Sequence, residues 1–460
     1  MEKRSTPSPD RRTVTLWYLG ALVAVTVAGI LRFVISDDTL TYHFDYDIYR
    51  EGGRAVLDGT ALYVGGFPAQ GITLPFTYPP LAALVFTPLA LVSGTVGYVL
   101  FTALNVVALA MTTMIVIQAL ASEGGARTVA GVGSLTRRQV TMTTLAALPL
   151  AVWFWPVTHT LEFGQVNILL MLMVAADLLL PRTPWPRGML VGIAAALKLT
   201  PAVFGLYFLL RRQWGPAVTS VVSGIVASGI AWLVLPADSR QYWTETISDP
   251  SRIGGLAYSA NQSVRGFLAR FTDDPLQTSL WYVLAAVTVV LVAVVMLRLL
   301  AAGAVTAAVC TNALLALLVS PVSWAHHWVW ILPMTMVAGV SLWSHRPVRA
   351  AVIPLAVLAL LLVLTATAFP VHVYLPSAHG AEMDWTWWQK VLGSEYVVVG
   401  AVWLGLGGLW PGLLRPGRRD RAAAVRDGSA GSGAGASSPA PGPSQVPPPA
   451  DTPSPRSATP

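Results

Sequence analysis

The chain has 460 residues, of which 54% are hydrophobic and only 11% are charged, and its mean hydropathy is +0.61. Soluble domains carry roughly 25% charged residues, so this composition excludes an ordinary soluble protein and indicates a membrane protein. The formal net charge is +7, but the arginines flank apolar segments, as they do in membrane proteins, so the charge predicts no nucleic-acid partner. Cys310 is the single cysteine, which excludes intrachain disulfides, thiolate zinc sites and iron–sulfur clusters.

The first apolar segment, residues 16–35, is long enough to cross a bilayer core of about 30 Å. It follows a hydrophilic start, and no small-residue cleavage site comes after it, so we interpret it as a retained span and not as a signal peptide. The basic residues before it place residues 1–13 in the cytoplasm and the polar loop after it on the outer face.

Apolar runs of roughly 20 residues recur along the chain and predict an all-α polytopic membrane protein with roughly 10–12 transmembrane helices and extracytoplasmic loops. Residues 79–120 can form one span or two with a turn near Ser93. Residues 188–210 are interrupted at Pro201, which favours a broken or re-entrant helix. Counting spans from the arginines places four polar clusters on the outer face, at residues 45–63, 162–167, 261–270 and 323–327.

The predicted parts of the chain are a cytoplasmic N-terminus at 1–13, a transmembrane domain at 14–415, and a cytoplasmic tail at 416–460. The tail starts with basic residues and continues with Ala, Gly, Ser and Pro, a composition that cannot bury a core and predicts disorder.

Two carboxylates, Asp45 and Asp47, follow the first span at the water boundary. Residues i and i+2 cannot share one helix face, so we expect at most one of them to point into a site. A carboxylate within hydrogen-bond reach of a hydroxyl can accept its proton. The pair can equally form a solvated acidic loop at the start of a helix near Ile48, and these residues alone leave both readings open.

A second candidate cluster contains Ser323, Trp324, His326 and His327, at the outer end of a predicted span. Adjacent histidines point roughly 100° apart on a helix, so one of them would face a shared site. A neutral imidazole can orient a hydroxyl and a charged one can bind a phosphate. The alternative is an interfacial histidine beside a tryptophan belt. We predict no metal ligand set here, because adjacent residues chelate poorly from one helix face.

Lys198 is the only lysine within an apolar run, and ionisable residues at membrane depth are functional candidates by default. At a helix break it could face a lipid phosphate, or it could snorkel to the interface. Gln165 and Asn167 lie at a span boundary, where substrate binding competes with simple turn chemistry.

The segment that contains Asn261, Gln262 and Arg265 combines amides with a guanidinium, which suits sugar hydroxyls and a phosphate. The chain has no Walker loop, dinucleotide fingerprint, HExxH motif or nucleophile elbow, so we predict no cofactor and no nucleotide-driven chemistry. An activated donor that resides in the membrane fits these features better.

Taken in order, these motifs resemble glycosyltransferase family 87. The resemblance begins with Asp45-x-x-x-Tyr49, Gly59-Thr60-x-Leu62-Tyr63 and Phe76-Thr77-Tyr78-Pro79-Pro80. It continues with Gly164-Gln165-Val166-Asn167, Lys198-Leu199-Thr200-Pro201, Asn261-Gln262-Ser263 and Ser320-Pro321-x-Ser323-Trp324-x-His326-His327. It covers about residues 16–415.

The resemblance implies a GT-C-type integral membrane fold with its catalytic domain at 14–415, and a polyprenyl-phosphate sugar donor. Actinobacterial members include α-mannosyltransferases that use polyprenyl-phosphomannose and elongate mannolipids and lipoglycans, and a related branch transfers arabinofuranose from decaprenyl-phosphoarabinose. The resemblance places the essential carboxylate at Asp45. The substrate-binding candidates are Asp47, Tyr49, Tyr78, Gln165, Asn167, Lys198, Asn261, Gln262, Arg265, Ser323 and Trp324.

We therefore expect a multi-pass plasma-membrane enzyme that transfers mannose to a mannolipid or lipoglycan on the extracytoplasmic face by inverting displacement. Asp45 would act as the base, and His326 or His327 would assist. Three alternatives remain: an arabinofuranosyltransferase, a transporter or flippase for polyprenyl-linked sugars, and a membrane scaffold that recruits partners through its tail.

Overall fold

The structure, a computed structural model, describes residues 43–124, 136–272, 275–344, 366–377 and 380–416, together with Val27 and Val363. The predicted cytoplasmic N-terminus, the first apolar segment and the tail from residue 417 onward lie outside the described residues.

Most of the described residues are helical and very few are in strands, which confirms the all-α prediction. A single two-stranded antiparallel hairpin occurs among them, with β1 (Phe67–Ala69) paired to β2 (Ile72–Leu74). The helices of the first half are α1 (Phe44–Asp58), α2 (Pro80–Ala90), α3 (Gly94–Glu123), α4 (Arg137–Ala151), α5 (Trp155–Glu162), α6 (Asn167–Leu179), α7 (Met189–Leu197), α8 (Gly205–Leu210) and α9 (Trp214–Val234). Those of the second half are α10 (Pro236–Thr244), α11 (Val264–Ala269), α12 (Pro275–Ala301), α13 (Val305–Val319), α14 (Ile331–Ser344), α15 (Val371–Tyr374), α16 (Trp387–Leu392) and α17 (Glu395–Leu409).

Three described helices, α3, α9 and α12, are long and apolar enough to cross a membrane, and α4 with α5 forms a further candidate that is bent by 80°. The chain is therefore a polytopic membrane protein. Five shorter apolar segments accompany these helices. The total of 10–12 spans stays a prediction, since the first apolar segment lies outside the described residues.

Two uncertain stretches of the sequence are resolved by the structure. Residues 79–120 form two helices that meet at Ser93, whose hydroxyl caps α3 by accepting the Val96 N–H. With 11 residues, α2 is shorter than a span. The predicted interruption near Pro201 is present: α7 ends at Leu197 and a 3₁₀ turn, Thr200–Phe204, precedes α8.

Helix α1 is held against the bundle by the turn between α5 and α6. The Tyr46 backbone N–H donates to the Phe163 carbonyl over 3.0 Å. Gly164 has a φ of +64°, and a Cβ at this position would lie 2.5 Å from the Cβ of Tyr46. Only glycine permits this approach, which brings the first turn of α1 beside Gln165.

The two ends of α3 contact different parts of the protein. At its start the Tyr98 ring packs 4.9 Å from the ring of His43, next to α1. At its end the Glu123 carboxylate accepts hydrogen bonds from the backbone N–H and hydroxyl of Thr306 at 2.7 and 2.6 Å. Arg415 interacts electrostatically with the same carboxylate. The end of α3 near Arg415 is therefore opposite the end that packs beside α1.

Arg270 organises the loop between α10 and α12, a role that was not predicted for it. Its side chain is fully buried and its guanidinium donates five hydrogen bonds. Four go to backbone carbonyls and one goes to a hydroxyl; the partners are Ala257, Tyr258, Ser259, Asn261 and Ser394. Arg270 thus ties this loop to the start of α17.

We predict that Arg270→Met lowers the free energy of unfolding by about 3–5 kcal/mol, because it takes away the donor that the Ala257 and Asn261 carbonyls use. Thermal unfolding in detergent, followed by size-exclusion chromatography, measures the loss. Arg265→Met is the matched control: that guanidinium lies 4.7 Å from the Trp281 ring, a contact worth about 0.5–1 kcal/mol. Equal unfolding temperatures for the two variants would contradict this role of Arg270.

Candidate active site

The candidate active site gathers polar side chains from five segments at the α1 end of the bundle. Asp45 and Tyr49 are one turn apart and share a face of α1. The members of the cluster are Asp45 and Tyr49 on α1, Tyr78 before α2, Gln165 and Asn167 around the start of α6, Lys198 after α7, and His327 in the 3₁₀ turn Ala325–Trp330. The cluster therefore lies where the starts of α1, α2, α6 and the 3₁₀ turn meet the helix break after α7.

Two tyrosines and a glutamine form the centre of the cluster. The Tyr49 hydroxyl lies 2.7 Å from the Tyr78 hydroxyl and 2.7 Å from the Gln165 Oε1. The Tyr78 hydroxyl is 3.1 Å from the same Oε1 atom. All three side chains are buried, and Tyr49 stacks on Phe86 with ring centroids 4.3 Å apart. This packing fixes the positions of both hydroxyls.

Lys198 joins the tyrosines to the histidine segment. Its Nζ donates to the Asn167 Oδ1 over 2.8 Å and to the Tyr78 hydroxyl over 3.3 Å, and it lies 3.3 Å from the His327 Nε2. The Asn167 amide in turn donates to the His326 carbonyl over 3.1 Å. The helix break therefore aims the ammonium into the cluster, and no snorkelling to the interface is needed to satisfy it.

Asp45 accepts a hydrogen bond from Gln165 and interacts electrostatically with Lys198. Burial raises the pKa of its carboxyl to about 6, and the Gln165 amide and the Lys198 ammonium only partly oppose that rise. Helix α1 is not among the membrane-spanning helices. A carboxyl with this pKa is ionised at neutral pH and is still basic enough to take a proton.

We predict that turnover falls as the pH drops through about 6, because protonation of Asp45 removes the base. Because the pKa of Asp45 is raised, turnover should be lost at a higher pH than an aspartate with an ordinary pKa would give. Below the midpoint, kcat should fall roughly tenfold per pH unit. The measurement is kcat against pH in detergent or proteoliposomes, with the folded fraction checked at each pH. A profile that stays flat down to about pH 4.5, near the ordinary pKa of aspartate, would exclude a raised pKa for the acting carboxyl.

The two aspartates diverge, as their spacing predicts. Asp47 lies 3.1 Å from the His43 Nδ1 and accepts a hydrogen bond of 3.0 Å from Gln70 at the tip of the hairpin. Both partners lie on the solvent side of α1, and neither belongs to the cluster around Gln165. The geometry thus favours Asp45 as the carboxylate that faces a substrate, and it gives the predicted substrate contact of Asp47 no support.

The two histidines also take different positions. The His327 Nδ1 accepts the Trp324 backbone N–H over 3.2 Å, which turns Nε2 toward Lys198. The His326 ring packs 5.3 Å from Phe163 and 4.8 Å from the His327 ring, and its Nε2 is buried with no hydrogen-bond partner. His327 therefore belongs to the cluster through its side chain, and His326 flanks it.

A cavity of about 50 Å³ adjoins Lys198 on the side away from α1. Its polar lining is Asn167, Lys198, Thr200, Ser320, Ser323 and His327. The Ser323 hydroxyl is buried and has no hydrogen-bond partner. The cavity combines an ammonium, an imidazole and hydroxyls, a donor set that suits a phosphate. Among the described residues, no three His, Cys, Asp or Glu side chains come together to hold a metal ion.

Asn261 and Gln262, predicted as substrate contacts, use their side-chain amides to bind the protein itself. Both side chains are fully buried. Asn261 holds the 320–324 segment: it donates to the Pro321 carbonyl and accepts the Ser323 N–H over 3.0 Å. The Gln262 amide is likewise used by backbone groups, those of Ser259, Gly393 and Tyr396. These residues support the site from behind and leave little capacity for a sugar.

Arg265 and Trp324 also lie apart from the central cluster. The Arg265 guanidinium stacks on Trp281 of α12. The Trp324 ring packs against Tyr258, with centroids 5.8 Å apart, while its backbone N–H orients His327. The predicted substrate contacts of these two side chains therefore have no support from the cluster's geometry.

Sequence reasoning missed two contributors. Thr160 donates to the His326 carbonyl over 2.9 Å and so helps to hold the histidine turn. Gly164 permits the close approach of α1 described above. A glycine directly before Gln165 was visible in the sequence, but its left-handed backbone conformation was not.

The architecture and this half-buried cluster of a carboxylate, a lysine and a histidine suit a membrane enzyme, and comparisons with known proteins give its class. The model of glycosyltransferase family 87 matches residues 76–321. The chain is 40% identical over 388 residues to the polyprenol-phosphate-mannose-dependent alpha-(1-2)-phosphatidylinositol mannoside mannosyltransferase of Mycobacterium tuberculosis, covering 83% of this chain and 88% of the relative. It is 38% identical to the protein of the same name from Mycolicibacterium smegmatis, covering 86% and 90%.

A more distant relative is the alpha-(1->3)-arabinofuranosyltransferase of Corynebacterium glutamicum, 25% identical over 64% of this chain and 66% of the relative. No solved structure matches the chain. The chain belongs to glycosyltransferase family 87 and is an integral membrane glycosyltransferase.

Proposed function

We propose that the chain transfers mannose from a polyprenyl-phosphate-mannose donor to a phosphatidylinositol mannoside, or to a related mannolipid or lipoglycan. The observation that carries this proposal is the convergence of Asp45 and Lys198 on Gln165 and Tyr78. The two relatives that are 40% and 38% identical carry this donor and acceptor in their names, which supports the choice.

In the proposed reaction, Asp45 takes the proton of an acceptor hydroxyl while that oxygen attacks the anomeric carbon of the donor. The bond from that carbon to the phosphate oxygen breaks, and polyprenyl phosphate leaves with the bonding electrons. A β-linked donor then gives an α linkage. Phosphate is a good leaving group, so the protein contributes mainly position and charge.

Lys198 and His327 are the groups that we propose to hold the phosphate. The Lys198 ammonium is fixed by Asn167 and Tyr78 before a substrate arrives, so little reorganisation is needed when charge develops on the leaving oxygen. The adjoining cavity with the unpartnered Ser323 hydroxyl supports the same placement.

We place the site on the extracytoplasmic face of the plasma membrane, within a catalytic domain at 14–415 that is flanked by cytoplasmic termini. Two observations support this placement. The arginines of the sequence flank the predicted cytoplasmic ends of the spans, and the end of α3 that is far from the site lies near Arg415. Donor and acceptor are both lipid-linked, so a site at the end of the bundle meets them at the membrane surface.

The test uses the purified protein in proteoliposomes with a mannolipid acceptor and one labelled donor at a time, either polyprenyl-phosphomannose or decaprenyl-phosphoarabinose. We expect labelled glycolipid from the mannose donor. Product from the arabinose donor alone would assign the chain to the arabinofuranosyl branch. If the donor moves across the membrane and neither donor gives a product, the protein is a transporter and not a glycosyltransferase that uses these donors.

A further inference from the structure

The orientation of the Gln165 side chain is determined by the hydrogens around it. Tyr78 already accepts a hydrogen bond from Lys198, so its own hydroxyl hydrogen must go to Tyr49 or to Gln165. If Tyr78 donates to Tyr49, the Tyr49 hydrogen goes to Gln165. Either way, at least one hydroxyl hydrogen ends on the Gln165 side chain, which must present its oxygen there.

The opposite orientation would leave one buried hydroxyl hydrogen without an acceptor, which costs the full desolvation penalty of that hydroxyl. With the oxygen held by the tyrosines, the amide nitrogen is the end of Gln165 that bonds to the Asp45 carboxylate. A carboxylate has several acceptor positions, so this bond still leaves room for an acceptor hydroxyl.

We propose that Gln165 is a positioning residue that directs the Asp45 carboxylate toward the acceptor hydroxyl, and that Tyr49 and Tyr78 fix the direction of its amide. This inference rests on the proposed function, since it requires Asp45 to act as the base. It replaces the expectation that these three side chains bind substrate.

The charged and titratable groups around Asp45 come from several segments near α1, whereas α2 and β1, which pack against α1, contain none. Lys198 reaches it from the end of α7, Tyr78 from the segment before α2, and Tyr49 from α1 itself. From α3, Tyr98 meets His43 and Tyr46 on another side of α1. On α5, Glu162 pairs with His159 at 3.4 Å. Gln165, which carries no charge, hydrogen-bonds to Asp45.

The decisive variant is Gln165→Glu, which keeps the size of the side chain and replaces the amide donor with a second carboxyl. The tyrosine hydroxyls stabilise the ionised form of this new group, so Asp45 retains its proton to higher pH. We expect the acidic limb of kcat against pH to move up by about one pH unit or more, with an unchanged KM for the donor.

Gln70→Glu is the matched control, because it places the same change beside Asp47, to which Gln70 donates over 3.0 Å. Its pH midpoint should equal that of the wild type. Gln165→Met guards against a folding defect: it removes the donor without adding charge, and we expect kcat to fall about tenfold with a smaller upward shift of the midpoint. Tyr49→Phe in the Gln165→Met background should then cost little more.

Four outcomes separate the possibilities. A Gln165→Glu protein that is folded and keeps the wild-type midpoint overturns the positioning role. A rise in KM alone for Gln165→Met would return Gln165 to substrate binding and also overturns it. If Asp45→Asn proves fully active, the proposed role of Asp45 as base fails, and the role of Gln165 fails with it; a wild type that transfers no mannose would instead overturn the proposed function.

Discussion

Asp45→Asn should reduce sugar transfer by about 10³-fold, the contribution of a well-placed general base. Asparagine has the size of aspartate and can still bond to Gln165, but it cannot take the acceptor proton. The protein should remain folded and membrane-inserted, because burial disfavours the charged form of Asp45. Its interaction with Lys198 is electrostatic and is not a direct ion pair whose loss would destabilise the fold. Initial rates at saturating donor, normalised to the amount of folded protein, measure the effect.

Asp47→Asn provides the control two residues along the same helix. Its partners are His43 and Gln70 on the solvent side of α1, so we expect a change of less than about threefold in rate, as for a surface ion pair. A large loss in Asp47→Asn with an active Asp45→Asn would move the base to Asp47.

Lys198→Met should reduce kcat by about 10²-fold, the usual cost of removing one preorganised group that stabilises developing charge. Methionine fills much of the same space, so Asn167 and Tyr78 lose a donor while the helix break keeps its packing. We expect a larger effect on kcat than on the KM of the donor, because the charge on the leaving oxygen grows in the transition state.

Lys390→Met is a suitable lysine control, since its Nζ lies 5.2 Å from the Phe271 ring and outside the cluster. It should retain wild-type kcat. An unchanged kcat in Lys198→Met, with folded protein confirmed, would remove Lys198 from the proposed reaction and leave His327 as the candidate for the phosphate.

The membrane architecture was predictable because it depends on properties that are local in sequence. Apolar runs and Pro201 indicate spans and a helix break without knowledge of any distant contact, whereas the direction of the spans, taken from the flanking arginines, stays a prediction. The division of residues 79–120 at Ser93 could not be decided, because an apolar run of that length fits one long helix as well as two.

The membership of the site was only partly predictable. Asp45, Gln165, Asn167, Lys198 and His327 were candidates, and the structure brings them together. Which of two aspartates faces the others depends on how α1 is rotated, and that rotation is set by its contact with the turn at Gly164. A pattern of residue types does not contain this information.

The amide-rich segment shows why the geometry gives other candidates no support. Asn261 and Gln262 have the chemistry to bind a sugar, but the same chemistry binds backbone carbonyls and N–H groups. Only the tertiary structure distinguishes the two uses. Arg270 was overlooked for the related reason that a buried arginine and an exposed one look alike in a sequence.

The most direct test of the central claim is the anomeric configuration of the product that the purified protein makes from β-linked polyprenyl-phosphomannose and a mannolipid. NMR or digestion with an α-specific mannosidase reads that configuration. A single displacement with Asp45 as base predicts a new α-mannosyl linkage, formed by the wild type and lost in Asp45→Asn. A β-linked product, or an α-linked product formed equally well by Asp45→Asn, would contradict the proposed mechanism.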